Sequence, residues 1–261
     1  MNEGVESTDF SLILDAGGFS KSYGTTAQLQ TDFLLKGLSM LRYDGINLSG
    51  KDFSEGGEFL QALRKKHGLD FISANIVYAQ EKKQFVEPFI IKKLTTSART
   101  APFKKLTVGI LGLCDEKESL LHARFEEAQL QSLAPVAAAQ EIVRKLDKQT
   151  DLVILLYNGR FNALEALLSQ IGGIDIVIMG GEYYRAEQYS DENVIIASSP
   201  SLGKYFATLA ITIDKDRKIT ASQKRRIPLD ESIQDDPKLA KLVADFDREK
   251  ENGAPPISDS R

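Results

Sequence analysis

The chain has 261 residues and a net charge of −4, so its surface carries no excess of positive charge for nucleic acid or an anionic membrane. A composition of 42% hydrophobic and 27% charged residues is that of a soluble globular protein. No run approaches the ~18 apolar residues of a membrane span. Because there are only two histidines, His67 and His122, a histidine-rich metal centre or a Ser-His-Asp triad has little to be built from. His67 ends a predicted helix and His122 lies in a charged helical stretch, so both are expected at the surface.

The first half of the chain alternates strand-like apolar runs with helical patterns. SLILDAGG predicts a buried strand ending in a glycine turn, and TDFLLKGLSMLR has apolar residues at helical spacing. GINLSG predicts a second strand, and GGEFLQALRKKHG predicts a helix closed by Gly68. LDFISANIVY predicts a further strand, and FVEPFIIKKL with KKLTVGILGLC predicts a pair of strands. The single cysteine, Cys114, ends this apolar run and is expected to be a buried, inert thiol.

The second half repeats the alternation. PVAAAQEIVRKLDK and FNALEALLSQIGG predict helices, and each precedes an apolar strand, DLVILLYNG or IDIVIMGG. Later strands end in a hairpin that turns at residues 214–216. The alternation predicts an α/β fold of parallel strands covered by helices, to which the hairpin adds antiparallel strands. Residues 1–230 are expected to form the domain, and residues 231–261 a C-terminal helix with a polar, Pro-containing linker.

Polar residues follow four of the predicted strands where each strand ends. In α/β folds ligands bind at the carboxyl ends of the strands. The four strand ends are DAGG (15–18), SGKD (49–52), YNGR (157–160) and GGEYY (180–184). Each combines glycine with polar side chains, which suits a close approach of the backbone to a ligand. These four segments are therefore the candidate site.

In this order, the segments resemble the motifs of the 5'-nucleotidase family of calcineurin-like metallophosphatases. The resemblance covers residues 10–215 and rests on LDAGG (14–18), YD (43–44) with GG (56–57), AN (74–75), PFI (88–90), VG (108–109), DLVILL (151–156), ID (174–175) with GG (180–181), and GKY (203–205) with Asp214. It implies a metallophosphoesterase-like α/β sandwich of two mixed β-sheets flanked by helices, with the opening strand missing or displaced.

The metal ligands of this family are mostly absent from the matching positions. By the resemblance, two metal ions are held by Asp, Asn and His side chains and activate water for attack on phosphorus. Other residues stand at those positions here, namely Gly18 for the bridging Asp, Gly50 and Lys51 for Asn and His, Asp52 for the adjoining acid, Asn158 for a His, and Glu182 and Tyr184 for two His. A degenerate member without a catalytic residue or a metal is therefore expected.

Three hypotheses for function follow. The first is a non-catalytic domain for binding or assembly, in which Lys51 replaces the metal charge and pairs with Glu182 or Asp52, unless Lys51 is only a surface lysine. The second is a phosphoesterase whose altered centre holds one Mg²⁺ or Ca²⁺ through oxygens of Asp15, Asp52, Asn158 and Glu182. The third is a module for a small anion or nucleotide, gathered by Lys51, Arg160 and Arg185. The candidate ligand-binding residues are Asp15, Gly18, Lys51, Asp52, Asn158, Arg160, Glu182 and Tyr184.

Partners and compartment are less constrained. The partner is expected to be a small anion or a protein, and not nucleic acid. By resemblance alone, a multihaem cytochrome domain beyond the C-terminal linker is a possible partner, although this chain has no CxxCH and carries no haem itself. The resemblance favours the periplasm, with the cytoplasm as the alternative, and the polar start MNEGVESTDF does not have the pattern of a signal peptide.

Overall fold

A computed structural model describes residues 8–20, 25–99, 101–115, 129–181, 185–186, 193–199 and 203–253. Five α-helices and one short 3₁₀ helix are formed by these residues. They are α1 (Thr25–Met40), the 3₁₀ helix η1 (Gly50–Phe53), α2 (Gly57–His67), α3 (Pro135–Gln149), α4 (Phe161–Leu168) and α5 (Pro237–Glu251). None of these helices is long and apolar enough to cross a bilayer.

The described strands form four sheets. They are β1 (Leu14–Asp15), β2 (Gly45–Asn47), β3 (Phe71–Ile72), β4 (Ile76–Tyr78), β5 (Phe89–Thr95), β6 (Lys105–Cys114), β7 (Leu130–Ser132), β8 (Leu152–Gly159), β9 (Ile176–Gly181), β10 (Ile195–Ser198), β11 (Tyr205–Ile213) and β12 (Ile219–Pro228). The largest sheet has the order β10-β9-β8-β6-β5 and is parallel except for β5. A three-stranded sheet has the order β1-β2-β3, while β4-β7 and β11-β12 form antiparallel pairs.

The predicted α/β architecture of sheets flanked by helices is confirmed. Among the described strands, the five-stranded sheet is mixed. The three-stranded sheet is wholly parallel, because α1 and α2 carry the chain back between its successive strands. The turn at residues 214–216 joins β11 to β12 as expected. Gly68 ends α2 in the left-handed conformation, with φ of 63°.

The five-stranded sheet is buried on both faces. Val153 and Leu155 of β8 pack under α3 and α4, whereas Ile154 and Leu156 face the side that β11 covers with Leu209. This accounts for the uninterrupted apolar run of β8, since a strand covered on both faces has no solvent side. A second core lies under α1 and α2, where both helices cover the three-stranded sheet. The carboxyl ends of β1, β2, β8 and β9 are thereby held together on rigid supports.

The C-terminal helix α5 packs against α1. The ring of Phe246 meets the ring of Phe33 edge to face, with 5.6 Å between the centroids. Leu242 is the one described side chain of α5 that is buried. The segment predicted as a helix followed by a linker therefore begins with a helix that contacts the domain.

Candidate functional site at the carboxyl ends of the strands

The loops after β1 and β2 and the ends of β8 and β9 converge on one place, which we call the strand-end cleft. It is formed by residues 15–18, residues 49–52, Asn158 and Gly180. The side-chain amide of Asn158 donates to the carbonyl of Gly17 over 2.7 Å. A Cβ on Gly180 would lie 2.6 Å from that same amide nitrogen. The structure thus brings together Asp15, Gly18, Asp52 and Asn158 of the predicted site.

The carboxylate of Asp52 is the centre of this arrangement. Its Oδ2 accepts hydrogen bonds from the backbone amides of Gly18 and Ser49, both at 2.8 Å, and from the Ser49 hydroxyl at 3.1 Å. Its Oδ1 accepts from the backbone amide of Ser20 at 3.2 Å. The side chain is only 3% exposed. Asp52 therefore joins the loop after β1 to the loop after β2, and both of its oxygens are already in use.

Burial disfavours the charged forms of the acids in the cleft. The pKa of the Asp52 carboxyl is raised to about 6, mainly by burial. Hydrogen bonds from the amides of Gly18, Ser49 and Ser20 lower this pKa, whereas the charge of Asp15 raises it. Burial also raises the pKa of Asp15, and the amide of Gly17 opposes that rise. The pKa of Tyr43 is raised by burial and by the nearby Asp15 charge. At Asp15 and Asp52, burial thus outweighs the hydrogen bonds that stabilise the charged carboxylates.

Gly18 holds a backbone conformation that other residues rarely adopt. Its φ is 83°, and an added Cβ would lie 3.0 Å from the amide nitrogen of Asn158 and 3.6 Å from the Ser49 hydroxyl oxygen. A side chain at this position would be strained by the backbone and crowded by Asn158. Gly18, which stands in place of the bridging acid, therefore belongs to a tight turn, and Asn158 hydrogen-bonds to that turn at Gly17.

Asn47 also secures this turn, although the sequence reasoning missed it. Its side-chain amide donates to the carbonyls of Ala16, at 3.0 Å, and Leu113, at 2.8 Å. It thereby fastens β2 both to the loop after β1 and to β6. The only available sequence signal was a polar residue inside the apolar run GINL. The structure shows that this residue is fully buried. Asn75 has a similar role, because it donates to the carbonyl of Cys114 and accepts from its backbone amide.

The pairing predicted for Lys51 with Asp52 is wrong. The side chain of Lys51 is exposed, whereas Asp52 is buried and is bound by amides and a hydroxyl. The other predicted partner, Glu182, lies outside the described residues, as does Tyr184. Lys51 is therefore exposed and does not pair with Asp52.

The predicted gathering of cations for an anion is not what the described residues show. The guanidinium of Arg160 forms an ion pair with Asp115, with Nε 2.6 Å from Oδ2 and a second nitrogen 3.3 Å from Oδ1. The guanidinium of Arg185 lies over the ring of Phe161 at 5.6 Å. Asp115 was missed, although it directly follows the buried strand β6 in the same manner as the other polar strand ends. Arg160 thus links the start of α4 to the end of β6 through two hydrogen bonds to Asp115.

The histidines do not lie in the cleft among the described residues. His122 is outside the described part of the chain. His67 was expected at the surface, but its side chain is only 7% exposed, and its Nε2 lies 2.6 Å from Oδ1 of Asp32. The ammonium of Lys66 contacts the same carboxylate at 2.8 Å. This corrects the expectation: His67 fastens α2 to α1, because Asp32 on α1 faces the end of α2.

The described residues do not fit the two metal ions that the resemblance implies. Gly18 offers no side-chain donor, and the carboxylate of Asp52 is turned toward backbone amides. The nitrogen of the Asn158 side chain, which cannot bind a cation, points at Gly17. Within the described part of the chain, no three His, Cys, Asp or Glu side chains are grouped so as to hold a metal ion. The arrangement is suited to fastening loops to one another.

The fold, with strand ends meeting at one cleft, is that of the calcineurin-like phosphoesterases and 5'-nucleotidases. The chain is similar to calcineurin-like phosphoesterase YfkN from Bacillus subtilis, with a TM-score of 0.75, 17% identity, and coverage of 93% of this chain and 84% of that chain. It is similar to the 5'-nucleotidase precursor from Thermus thermophilus, with a TM-score of 0.72, 18% identity, and coverage of 92% and 50%. It is also similar to sulfate thiohydrolase SoxB from Thermus thermophilus, with a TM-score of 0.76, 17% identity, and coverage of 92% of this chain and 43% of that chain.

These similarities confirm the fold that the motifs implied. The chain spans half the length of the 5'-nucleotidase precursor and less than half of SoxB. No family model and no curated protein sequence matches the chain. At these identities the structural similarity establishes the fold, and function must be argued from the cleft itself.

Proposed function

We propose that the chain is a non-catalytic domain on the calcineurin-like phosphoesterase fold, serving binding or assembly. The observation that supports this most is the state of Asp52. A carboxylate that is to hold a cation or act on water must present at least one oxygen to the cleft. Both oxygens of Asp52 accept hydrogen bonds from the chain's own amides, and its side chain is buried. Asp52 thus secures the scaffold.

The neighbouring positions support the same proposal. Gly18 contributes a turn in place of a ligand, and Asn158 uses its amide nitrogen to close that turn. The raised pKa values of Asp15 and Asp52 have burial as their main cause. The carboxylate oxygens of Asp52 that a divalent cation would need already accept four hydrogen bonds from the two loops. The cleft is therefore a closed structural junction.

The alternative is a metal-dependent phosphoesterase with an altered, oxygen-only centre. The solved structures that share the fold include a calcineurin-like phosphoesterase and a 5'-nucleotidase precursor, so phosphate-ester hydrolysis is the reaction to test. One Mg²⁺ or Ca²⁺ would have to be held mainly by Asp15 and the carbonyl oxygen of Asn158. This alternative requires both side chains to face a common point in the cleft.

Phosphatase assays on the purified chain separate the two proposals. Nucleoside monophosphates and an aryl phosphate are incubated with Mn²⁺, Mg²⁺ or Ca²⁺, with Asp52→Ala and Asp15→Ala as variants. A non-catalytic domain gives release of phosphate equal to that of buffer with every ion, for the native chain and for both variants. Metal-dependent turnover that disappears in Asp15→Ala would instead establish the altered centre.

Restoring the missing acid provides a second test. Gly18→Asp is expected to recruit no tightly bound Mn²⁺ or Zn²⁺ and to destabilise the fold, because its side chain meets Asn158 at a φ of 83°. Gly203→Asp is the matched control, since Gly203 also has a positive φ, of 64°, but an added Cβ meets nothing within 4 Å. Calorimetric titration and urea unfolding measure the two effects. Stoichiometric metal binding by Gly18→Asp would contradict the closed junction.

A further inference from the structure

The C-terminal helix α5 is stabilised by its own residues. The carboxylate of Asp236 caps the helix by accepting from the backbone amides of Lys238, at 2.8 Å, and Leu239, at 3.2 Å. Pro237 occupies the first turn, where its missing amide hydrogen costs nothing. Asp245 pairs with Lys241 and Arg248, one turn before and after it. These interactions lie within α5 and remain when the helix leaves its neighbour.

The contact between α5 and the domain is apolar. Phe246 packs on Phe33, and a methyl group of Leu242 lies 3.5 Å from the position that a Cβ on Gly37 would occupy. In the part of the chain that the structure describes, α5 makes no hydrogen bond or ion pair to another element. Its polar interactions are thus internal, and its docking on α1 depends on a single apolar face.

The segment that connects α5 to the domain is exposed throughout. Residues 228–238 are all exposed, from the end of β12 to the first turn of α5. On α1, the apolar surface continues beyond the contact, since Leu34 is 40% exposed and Met40 is 39% exposed. The connecting segment therefore does not hold α5 in place. In addition, α1 presents more apolar surface than α5 covers.

From these three observations we propose that α5 is a detachable helix, which leaves α1 as a preformed helix and docks on α1 of a second copy of this chain. A helix laid in an apolar groove is a recurrent mode of recognition, and exchange of an identical element between copies creates no new contacts. A second copy is the occupant that fits, because the face formed by Phe33 and Gly37 is already complementary to Leu242 and Phe246. The proposal is independent of whether the cleft is catalytic.

A labelled peptide of residues 229–253 tests docking between copies. The peptide can bind the full chain only while the chain's own α5 is undocked, so its apparent affinity is reduced by the docked fraction. Leu242→Ala in the full chain weakens the internal contact and should raise peptide affinity about 10-fold or more, as expected for a lost buried leucine. Val243→Ala, at a side chain that is 59% exposed, is the matched control and should leave affinity unchanged. Phe33→Ala, which removes part of the groove, should abolish binding to either form.

Hydrogen exchange on the unmodified chain tests detachment directly. A helix of 15 residues opens readily once it has no neighbour, so amides of α5 should exchange much faster than those of β8 through the undocked state, and Leu242→Ala should accelerate the exchange of α5 alone. Exchange of α5 at the rate of β8 would overturn detachment, because the helix would then open only with the whole fold. Absence of peptide binding to both the native chain and Leu242→Ala would overturn docking on a second copy.

Discussion

Asp52 makes the stability of this protein depend on pH in the direction opposite to that of a salt-bridged carboxylate. Burial raises its pKa from 3.8 to about 6 in the folded chain. The folded state therefore binds a proton more tightly than the unfolded state, and the resulting stabilisation is fully present below pH 3.8 and lost as the pH rises through about 6. At about 1.4 kcal/mol for each pH unit between these two values, the loss is about 3 kcal/mol.

The comparison with Asp52→Asn isolates this contribution. The amide cannot ionise, so its cost, about 1–3 kcal/mol for an amide hydrogen left without an acceptor, does not change with pH. The free energy of unfolding of the native chain minus that of Asp52→Asn should therefore fall by about 2 kcal/mol between pH 4 and pH 7, since part of the full loss has already occurred at pH 4. Asp15 remains in both proteins, and burial, the main cause of its raised pKa, is common to both.

Urea unfolding at pH 4, 5, 6, 7 and 8 measures this difference, with Asp216→Asn, an exposed carboxylate in the hairpin turn, as the control. The control makes the same Asp-to-Asn change at a carboxylate outside the cleft. If the difference for Asp52→Asn is flat, the four hydrogen bonds compensate for burial of the charge. If it increases with pH, Asp52 is stabilised as a carboxylate and the reasoning from burial is wrong.

Two further substitutions test the packing and the ion pair beside the cleft. Gly112→Ala should destabilise the fold by about 1–3 kcal/mol, because the new Cβ would lie 2.3 Å from Oδ1 of the fully buried Asn47. Gly172→Ala is the control, since its new Cβ meets nothing within 4 Å, and it should have little effect on the urea midpoint. Arg160→Ala removes the two-point partner of Asp115, a side chain that is only 5% exposed, and should cost about 1–3 kcal/mol of unfolding free energy. An unchanged thermal midpoint would show that other contacts already satisfy this carboxylate.

The strands and the location of the cleft were predictable because both depend on local patterns. A strand buried on both faces must be apolar along its whole length, as β8 is, and polar residues can begin only where the strand ends. The direction in which a side chain at a strand end points is not a local property. Asp52 bonds to Gly18, 34 residues away, and Arg160 bonds to Asp115, 45 residues away. These contacts depend on which strands are neighbours in a sheet, β1 with β2 for the first and β6 with β8 for the second.

The same reasoning explains why His67 was misplaced. The sequence around it, RKKHG, is charged and ends a helix, which is typical of a solvent-facing residue. Its burial depends on the packing of α1 against α2, which places Asp32 beside the last turn of α2. A side chain in the last turn can be covered by a neighbouring helix without any change in its own sequence pattern. Local pattern therefore located the helix end, and tertiary packing decided its environment.

The cleft contains two neighbouring acids, Asp15 and Asp52, and their charges must be offset for the loops to pack as they do. Neither acid forms an ion pair among the described residues, and the exposed Lys51 does not reach Asp52. What offsets the charge of Asp52 is a set of dipoles, the amides of Gly18, Ser20 and Ser49 with the Ser49 hydroxyl. Dipoles stabilise a buried carboxylate less than a divalent cation does, which is why the pKa of Asp52 remains near 6 despite four donors. In mildly acidic solution a proton on Asp52 completes the compensation.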